Sequence, residues 1–546
     1  MKKMLLFFCA FLYFCSCNPV DGPDVDKNRP KIPDVDGATV KGAVMCDGHG
    51  IQGVVVSDGK EVTITDADGF FWLKSSKKQG SVFVSFPSGY APKNDGALPE
   101  FYQTVSASKG VETLWFDLEK LDTADCDLVV STDHHLADRY SSADITAYKQ
   151  FFVEGLKSYA GSTSRKVYGL VLGDMTWDIF WDTFSLQRYK AMAKQFPIPT
   201  FHAIGNHDYD MSVTDDFKAA AKFRANLGPT WYSFNLGGNH VVVMDDIVYR
   251  NENQSRNHDT YVDDEQLEWL EKDLSYVPKD VRVLVAMHCT VFRVNDITSQ
   301  GKLSIGFSFD SAKKARDLLN ILNGREVHFI TGDTHVNQSM TPTETGYEKV
   351  YEHNVAAVCS SYWWTWYLSK NHICRDGSRG GFLVMSMDGG KLSWRYKGLD
   401  CDFDTQFSCY DMNEVKSLIR KSPDFAAFYN HYPSRERYTT IPDNSVMVNV
   451  WNWDPTWKVT VTENGKSLPV TWRYTEDPLH TLSYDAPRTA DNGEFTSSFG
   501  TVKTHHIFTV KASGPDTTLE IEVQDSFGNV SRKTFNRPCE FTIDTK

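Results

Sequence analysis

Long apolar runs are almost missing from this 546-residue sequence. One covers Met4–Phe14, and no other segment approaches the ~20 residues that a bilayer-spanning helix requires. Positive charge is also short: 57 Lys and Arg against 71 Asp and Glu leave a net charge of −14, with no Lys/Arg-rich run. Such a chain is a poor general binder of DNA, RNA or anionic lipid, and long nucleic acids are argued against as substrates. No CxxC pair occurs among the eight cysteines beyond Cys17, so no function is read from them. Gly and Pro supply only 57 residues while aromatics reach 13%, which excludes a largely disordered or fibrous chain. At roughly 150 residues per domain, the length predicts three to four domains.

The start of the chain reads as an address. Lys2 and Lys3, the Met4–Phe14 run and small residues after it make an export signal. Ser16-Cys17 resembles the cleavage site of bacterial lipoproteins, in which Cys17 becomes the acylated first residue. Any membrane attachment is therefore expected only through this N-terminal lipid anchor, placing the protein in a bacterial cell envelope, in the periplasm or at the cell surface. Residues 18–36 carry four Pro and five Asp without an aromatic, as suits an extended tether. Cys401 and Cys409 are the disulfide candidates nearest in sequence.

Beyond this leader (1–17) and linker (18–36), three modules are expected. Residues 37–118 show short strands at Ala38–Met45, Gly53–Ser57, Val62–Thr65, Phe70–Lys74 and Ser81–Phe86, with Asp-Gly turns, predicting a small all-β sandwich. Its Thr65–Phe70 edge resembles carboxypeptidase-regulatory-like domains. Residues 119–400 alternate apolar strands (Leu128–Ser131, Val167–Leu172, Val241–Met244, Val281–Met287, Val327–Ile330) with helices (Ile145–Lys157, Asp264–Leu274, Ala312–Leu322), an α/β pattern. Residues 401–546 return to strands, joined through a helical stretch near Asn413–Phe428.

The polar chemistry sits where strands stop. The runs Leu128–Ser131, Val167–Leu172, Pro199–Ile204, Val281–Met287 and Val327–Ile330 end in Asp133-His134-His135, Gly173-Asp174, Gly205-Asn206-His207-Asp208, His288 and Gly332-Asp333-Thr334-His335. Ligands gather at the carboxyl ends of strands in open α/β folds. Carboxylate, imidazole and amide oxygen without thiolate suit Mn, Fe or Zn. The set is rich enough for two divalent ions, which at ~3.5–4 Å apart can share a hydroxide and clamp both oxygens of a phosphoryl transfer. Metal-assisted hydrolysis of a phosphoester follows.

The order D-x-H, GD, GNHD, H and G-x-x-H resembles the calcineurin-like metallophosphoesterase superfamily, and the flanking β modules resemble a three-part bacterial branch of it. That resemblance implies a four-layer β-sandwich flanked by helices. It also implies that Asp133, His135 and His335 hold a first metal, that Asp174 bridges, and that Asn206 and His288 hold a second. His207 would assist the leaving group, with Asp208 orienting it. The last motif departs from the usual GHxH, so Asp333 stands in place of a second-metal histidine, as a hard ligand or as a weakened site.

Around these motifs, His134 and His202 read as core histidines, and His240, His328, His505 and His506 have no motif. Asp178 could face the cleft, and Asp245 or Asp246 could support it. Trp363 and Trp364, with Arg375 and Arg379 in the following Gly-rich turn, read either as packing or as a wall for a phosphoester; Trp451, Trp453 and Trp457 read as packing. The expectation is an exported phosphatase or phosphodiesterase acting on a small-molecule or glycan phosphoester. Its rival is an envelope protein that binds phosphorylated glycans or metabolites without cleaving them, for which Asp333 is the best support.

Overall fold

The structure, a computed structural model, describes residues 29–365 and 371–543. The export segment, Cys17 and most of the tether lie outside the described residues, as does the end of the Trp-rich run. No helix among the described residues is long and apolar enough to cross a membrane.

Alternating side chains close the first module into two facing sheets. Val40–Cys46 is the hub of one, paired in parallel with Glu112–Lys120 and antiparallel with Phe70–Leu73. Ser81–Ser85 centres the other, between Val55–Ser57 and Tyr102–Thr104. Glu112–Lys120, at nine residues, was not anticipated. The module is joined to its neighbour by a continuous apolar core: Phe86 stacks on Phe234 with centroids 5.4 Å apart, and Trp269 Nε1 donates to Ser57 Oγ at 3.0 Å.

The central domain holds two sheets. Thr200–His202, Lys166–Val171 and Asp125–Ser131 run parallel and continue into the antiparallel pair Gly381–Asp388 and Lys391–Gly398. The second sheet has Asn239–Val243, Val283–Ala286, Val327–Thr331 and Val350–Asn354 in parallel, with antiparallel strands at each edge. Val283–Ala286 at its centre is a fully buried apolar run, as expected of a strand covered on both faces. The helix Asp264–Leu274 starts where the Asp263 side chain accepts the Gln266 N–H at 2.9 Å, and Ala312–Ile321 is capped likewise by Ser311. The helix expected over Ile145–Lys157 runs from Ala143 to Ser162 and widens into a π turn at Lys149–Val153.

The last module is a second sandwich of two four-stranded sheets. Its helices Met412–Lys421 and Pro423–His431 do not precede it as a joint. They are inserted after its first strand, Phe407–Asp411, which pairs with Ser445–Val450. Trp451, Trp453 and Trp457 are buried in packing. Cys401 and Cys409 are not bonded to each other: all eight described cysteines are free thiols, and Cys401 instead points its Sγ at Gly398 O, 3.3 Å away.

Candidate active site

Each motif forms a tight loop at the carboxyl end of a strand, and the loops lock together. The Asp133 and His135 amides donate to Gly173 O and Asp174 O at 3.2 and 2.9 Å, so two adjacent strand ends run on side by side. Five residues of these loops adopt left-handed backbone: Asp133, His135, Asp174, Asp333 and His335, with φ between 44° and 62°. Non-glycine residues hold that conformation only when the surroundings impose it, and such strain concentrates at functional sites. Glycine is required at 205, because a Cβ there would lie 2.4 Å from the Asp174 carboxylate.

The side chains converge on two adjoining positions. At the first, His135 Nε2 and His335 Nε2 lie 3.0 Å apart, and Asp133 Oδ1 is 3.1 Å from His335 Nε2. At the second, His288 Nε2 lies 3.1 Å from Asn206 Oδ1 and 3.6 Å from Asp333 Oδ1. Asp174 Oδ2 stands between them, 3.5 Å from His135 Nε2 and 3.5 Å from His288 Nε2. Among the described residues, every cluster of three or more His, Cys, Asp or Glu ligand atoms falls here.

These residues fit a divalent cation. Asp133 Oδ2 accepts the Thr132 hydroxyl and the Asp333 amide, whereas the buried Oδ1 has no hydrogen-bond donor and faces the histidines. His288 Nδ1 donates to Leu172 O at 2.8 Å, which leaves Nε2 as the nitrogen turned into the site. Burial opposes charge on His288, but the carboxylates of Asp174, Asp133 and Asp333 outweigh it and hold the ring protonated well above its ordinary range. A metal would take over that role and release the proton. Burial likewise opposes ionisation of Asp133, and the His335 and His135 rings overcome it, so the carboxylate stays charged.

His207 lies beside the first position, its ring 5.1 Å from that of His135. Its orienting partner is not Asp208. Asp208 is fully buried, and its oxygens accept from the Gly205, Met175 and Thr176 amides and the Thr176 hydroxyl, bracing the loop. Asp178 does the orienting: Oδ1 accepts from His207 Nδ1 at 2.8 Å, and both its oxygens accept from Arg256, at 3.1 and 3.2 Å. Asp178 is therefore occupied in positioning rather than turned to a substrate.

The aromatic run divides. Trp364 lies over His335, tilted by 31° with centroids 4.0 Å apart, whereas Trp363 is buried, donates to His134 O at 2.9 Å and forms no wall. Arg375 is held by Gly500 O at 2.9 Å and Ser497 O at 3.4 Å, close enough for Asp333 to act on its charge. Arg379 does not reach the site; its charge is felt at Cys401 and Tyr410. His134 turns away to Ser131 and Tyr148, and His202 to Tyr189. Asp246 accepts the His288 and Cys289 amides, while Asp245 accepts from Tyr209. Arg256 and Cys359, whose Sγ lies 3.8 Å from His335 Nδ1, went unread in the sequence because no motif surrounds either.

Residues 38–121 match the family described as the N terminal of calcineurin-like phosphoesterase, and residues 352–530 match the C terminal of calcineurin-like phosphoesterase. No curated protein matches the sequence. Among solved structures, a dimetal phosphatase from Danio rerio is 14% identical with a TM-score of 0.33, over 50% of this chain and 96% of that one. A purple acid phosphatase from yellow lupin (Lupinus luteus) seeds is 12% identical with a TM-score of 0.35, over 64% and 67%. A 5'-nucleotidase precursor from Thermus thermophilus is 11% identical with a TM-score of 0.27, over 50% and 54%.

Proposed function

We propose that this chain, whose flanking segments match the N and C terminals of calcineurin-like phosphoesterase, is a metal-dependent hydrolase that cleaves a small-molecule phosphomonoester at a two-ion site. The observation that carries this reading is Asp174 Oδ2, placed equally between a histidine of each position. Asp133, His135 and His335 would hold the first ion, and Asn206, His288 and Asp333 the second. Oxygen and imidazole donors suit Mn, Fe or Zn, and the Asp333 carboxylate shifts the second position towards a harder ion. Ions held there would supply Lewis acidity towards the phosphoryl oxygens and water. The protein does the rest. Asp178 fixes the Nδ1 proton of His207, so Nε2 is the atom left to give a proton to the leaving oxygen. Arg256, held by Asp178, and Arg375, whose charge Asp333 feels, would favour the dianion of a monoester.

The test uses the full chain, stripped with chelator and reloaded separately with Mn, Zn or Fe, on an aryl phosphate monoester and an aryl phosphodiester. Metal-restored cleavage with the monoester faster is expected. A faster diester would overturn the substrate class. Tight binding of one ion without cleavage would favour a non-cleaving binding protein. Export and lipid anchoring at Cys17 belong to the same proposal, supported by the Met4–Phe14 run and Ser16-Cys17. Cys17→Ala should then move the protein from the membrane to the soluble fraction.

A further inference from the structure

Behind His335 lies a five-residue helix, Ser360–Trp364, entered through a left-handed Ser360 (φ 46°). One side of this helix belongs to the first metal position. The Val358 and Cys359 amides donate to Thr132 O and Asp133 O at 3.0 and 3.1 Å. Cys359 Sγ sits 3.8 Å from His335 Nδ1, and the Trp364 ring covers His335. Too short to be stable alone, such a helix takes its position from what it touches.

Its other side touches the C-terminal module. Ser361 Oγ lies 2.6 Å from His480 Nε2, and His480 Nδ1 lies 2.7 Å from Thr501 Oγ1. The Thr501 amide donates to Asp485 Oδ1 at 3.1 Å, and Asp485 pairs with Arg435. Ser361, His480 and Asp485 are all fully buried, so no water competes for these bonds. From the same stretch of chain, the Phe499 ring meets the edge of Trp364 with centroids 4.2 Å apart.

We infer that the C-terminal module positions the first metal ligand set: His480, through Ser361, and Phe499, through Trp364, fix the short helix that backs His335. Both are positioning residues and neither reaches the reacting atoms. The inference rests on the metal site proposed above, so its readout is ion binding and not turnover. Loss of an outer-shell partner weakens metal affinity by about 10–100-fold.

The experiment titrates chelator-stripped full-length protein with Zn²⁺ alone against a chromophoric competitor. His480→Ala and Phe499→Ala should each raise the Kd of the tighter ion by about ten-fold or more, and His480→Gln, which keeps a donor and an acceptor, should recover part of it. Val461→Ala, buried in the C-terminal core away from the helix, should lower Tm without changing the Kd. Wild-type Zn²⁺ affinity in folded His480→Ala and Phe499→Ala would overturn the inference. So would an equal loss in Val461→Ala, which would make the effect mere loosening of the module. A wild-type chain that binds Zn²⁺ but cleaves no phosphoester would instead sink the enzymatic reading and leave this one standing.

Discussion

The two proposed metal positions share Asp174 but are built differently. Asp133, His135 and His335 are buried and are backed by Trp364, Cys359 and a helix tied to another module. The second position has Asn206 half-exposed and Asp333 with 41% of its side chain exposed, beside a buried His288. A preorganised, water-excluded ligand set holds its ion tightly, whereas an exposed carboxylate on a loop gives up less water and imposes less geometry. The aspartate at 333 thus leaves an oxygen donor in place but moves the looser end of the site towards solvent.

Removing a first-position ligand should have the largest effect. His335→Ala should lower kcat by more than the ~10–100-fold that an outer-shell loss brings, and the tighter ion should vanish from an equilibrium titration. A variant that kept both would erase the distinction between the positions. Asp178→Asn should come next: kcat should fall by about 10²-fold, the scale of one acid–base contribution, with both ions still bound, since Asp178 touches His207 and not the ligands. Smaller still, Asp333→Ala should weaken only the second ion, by about ten-fold, seen as a raised Mn²⁺ requirement for turnover; an unchanged requirement would mean that Asp333 is no ligand. Trp364→Ala should weaken the first ion, and Trp363→Ala should cost about 3–5 kcal/mol of stability through its lost core volume.

Much of this was legible because ligand motifs are local. Each is a few residues long and sits just after an apolar run, so Asp133, Asp174, His288 and His335 could be read from strand ends alone. What was not legible depends on orientation and on distant approach. Neighbouring residues of a helix point ~100° apart, so nothing in the run could tell Trp364, which faces His335, from Trp363, which faces the core. The resemblance implies that Asp208 orients His207, yet the turn sends its carboxylate into backbone amides and Asp178 meets the His207 ring instead. Arg256 meets Asp178 across 78 residues, and Phe499 comes from another module. The inserted helices Met412–Lys421 and Pro423–His431 misled for a related reason: an amphipathic pattern reports a helix but not which strands enclose it.

Everything proposed for the chemistry depends on Asp174 joining two cations into one hydrolytic site. Metal content and turnover should therefore be measured together on reloaded wild-type protein and on Asp174→Asn. Two ions per wild-type chain with metal-dependent cleavage are expected, against at most one ion and no cleavage in a folded Asp174→Asn. Undiminished turnover in Asp174→Asn would contradict the two-ion site.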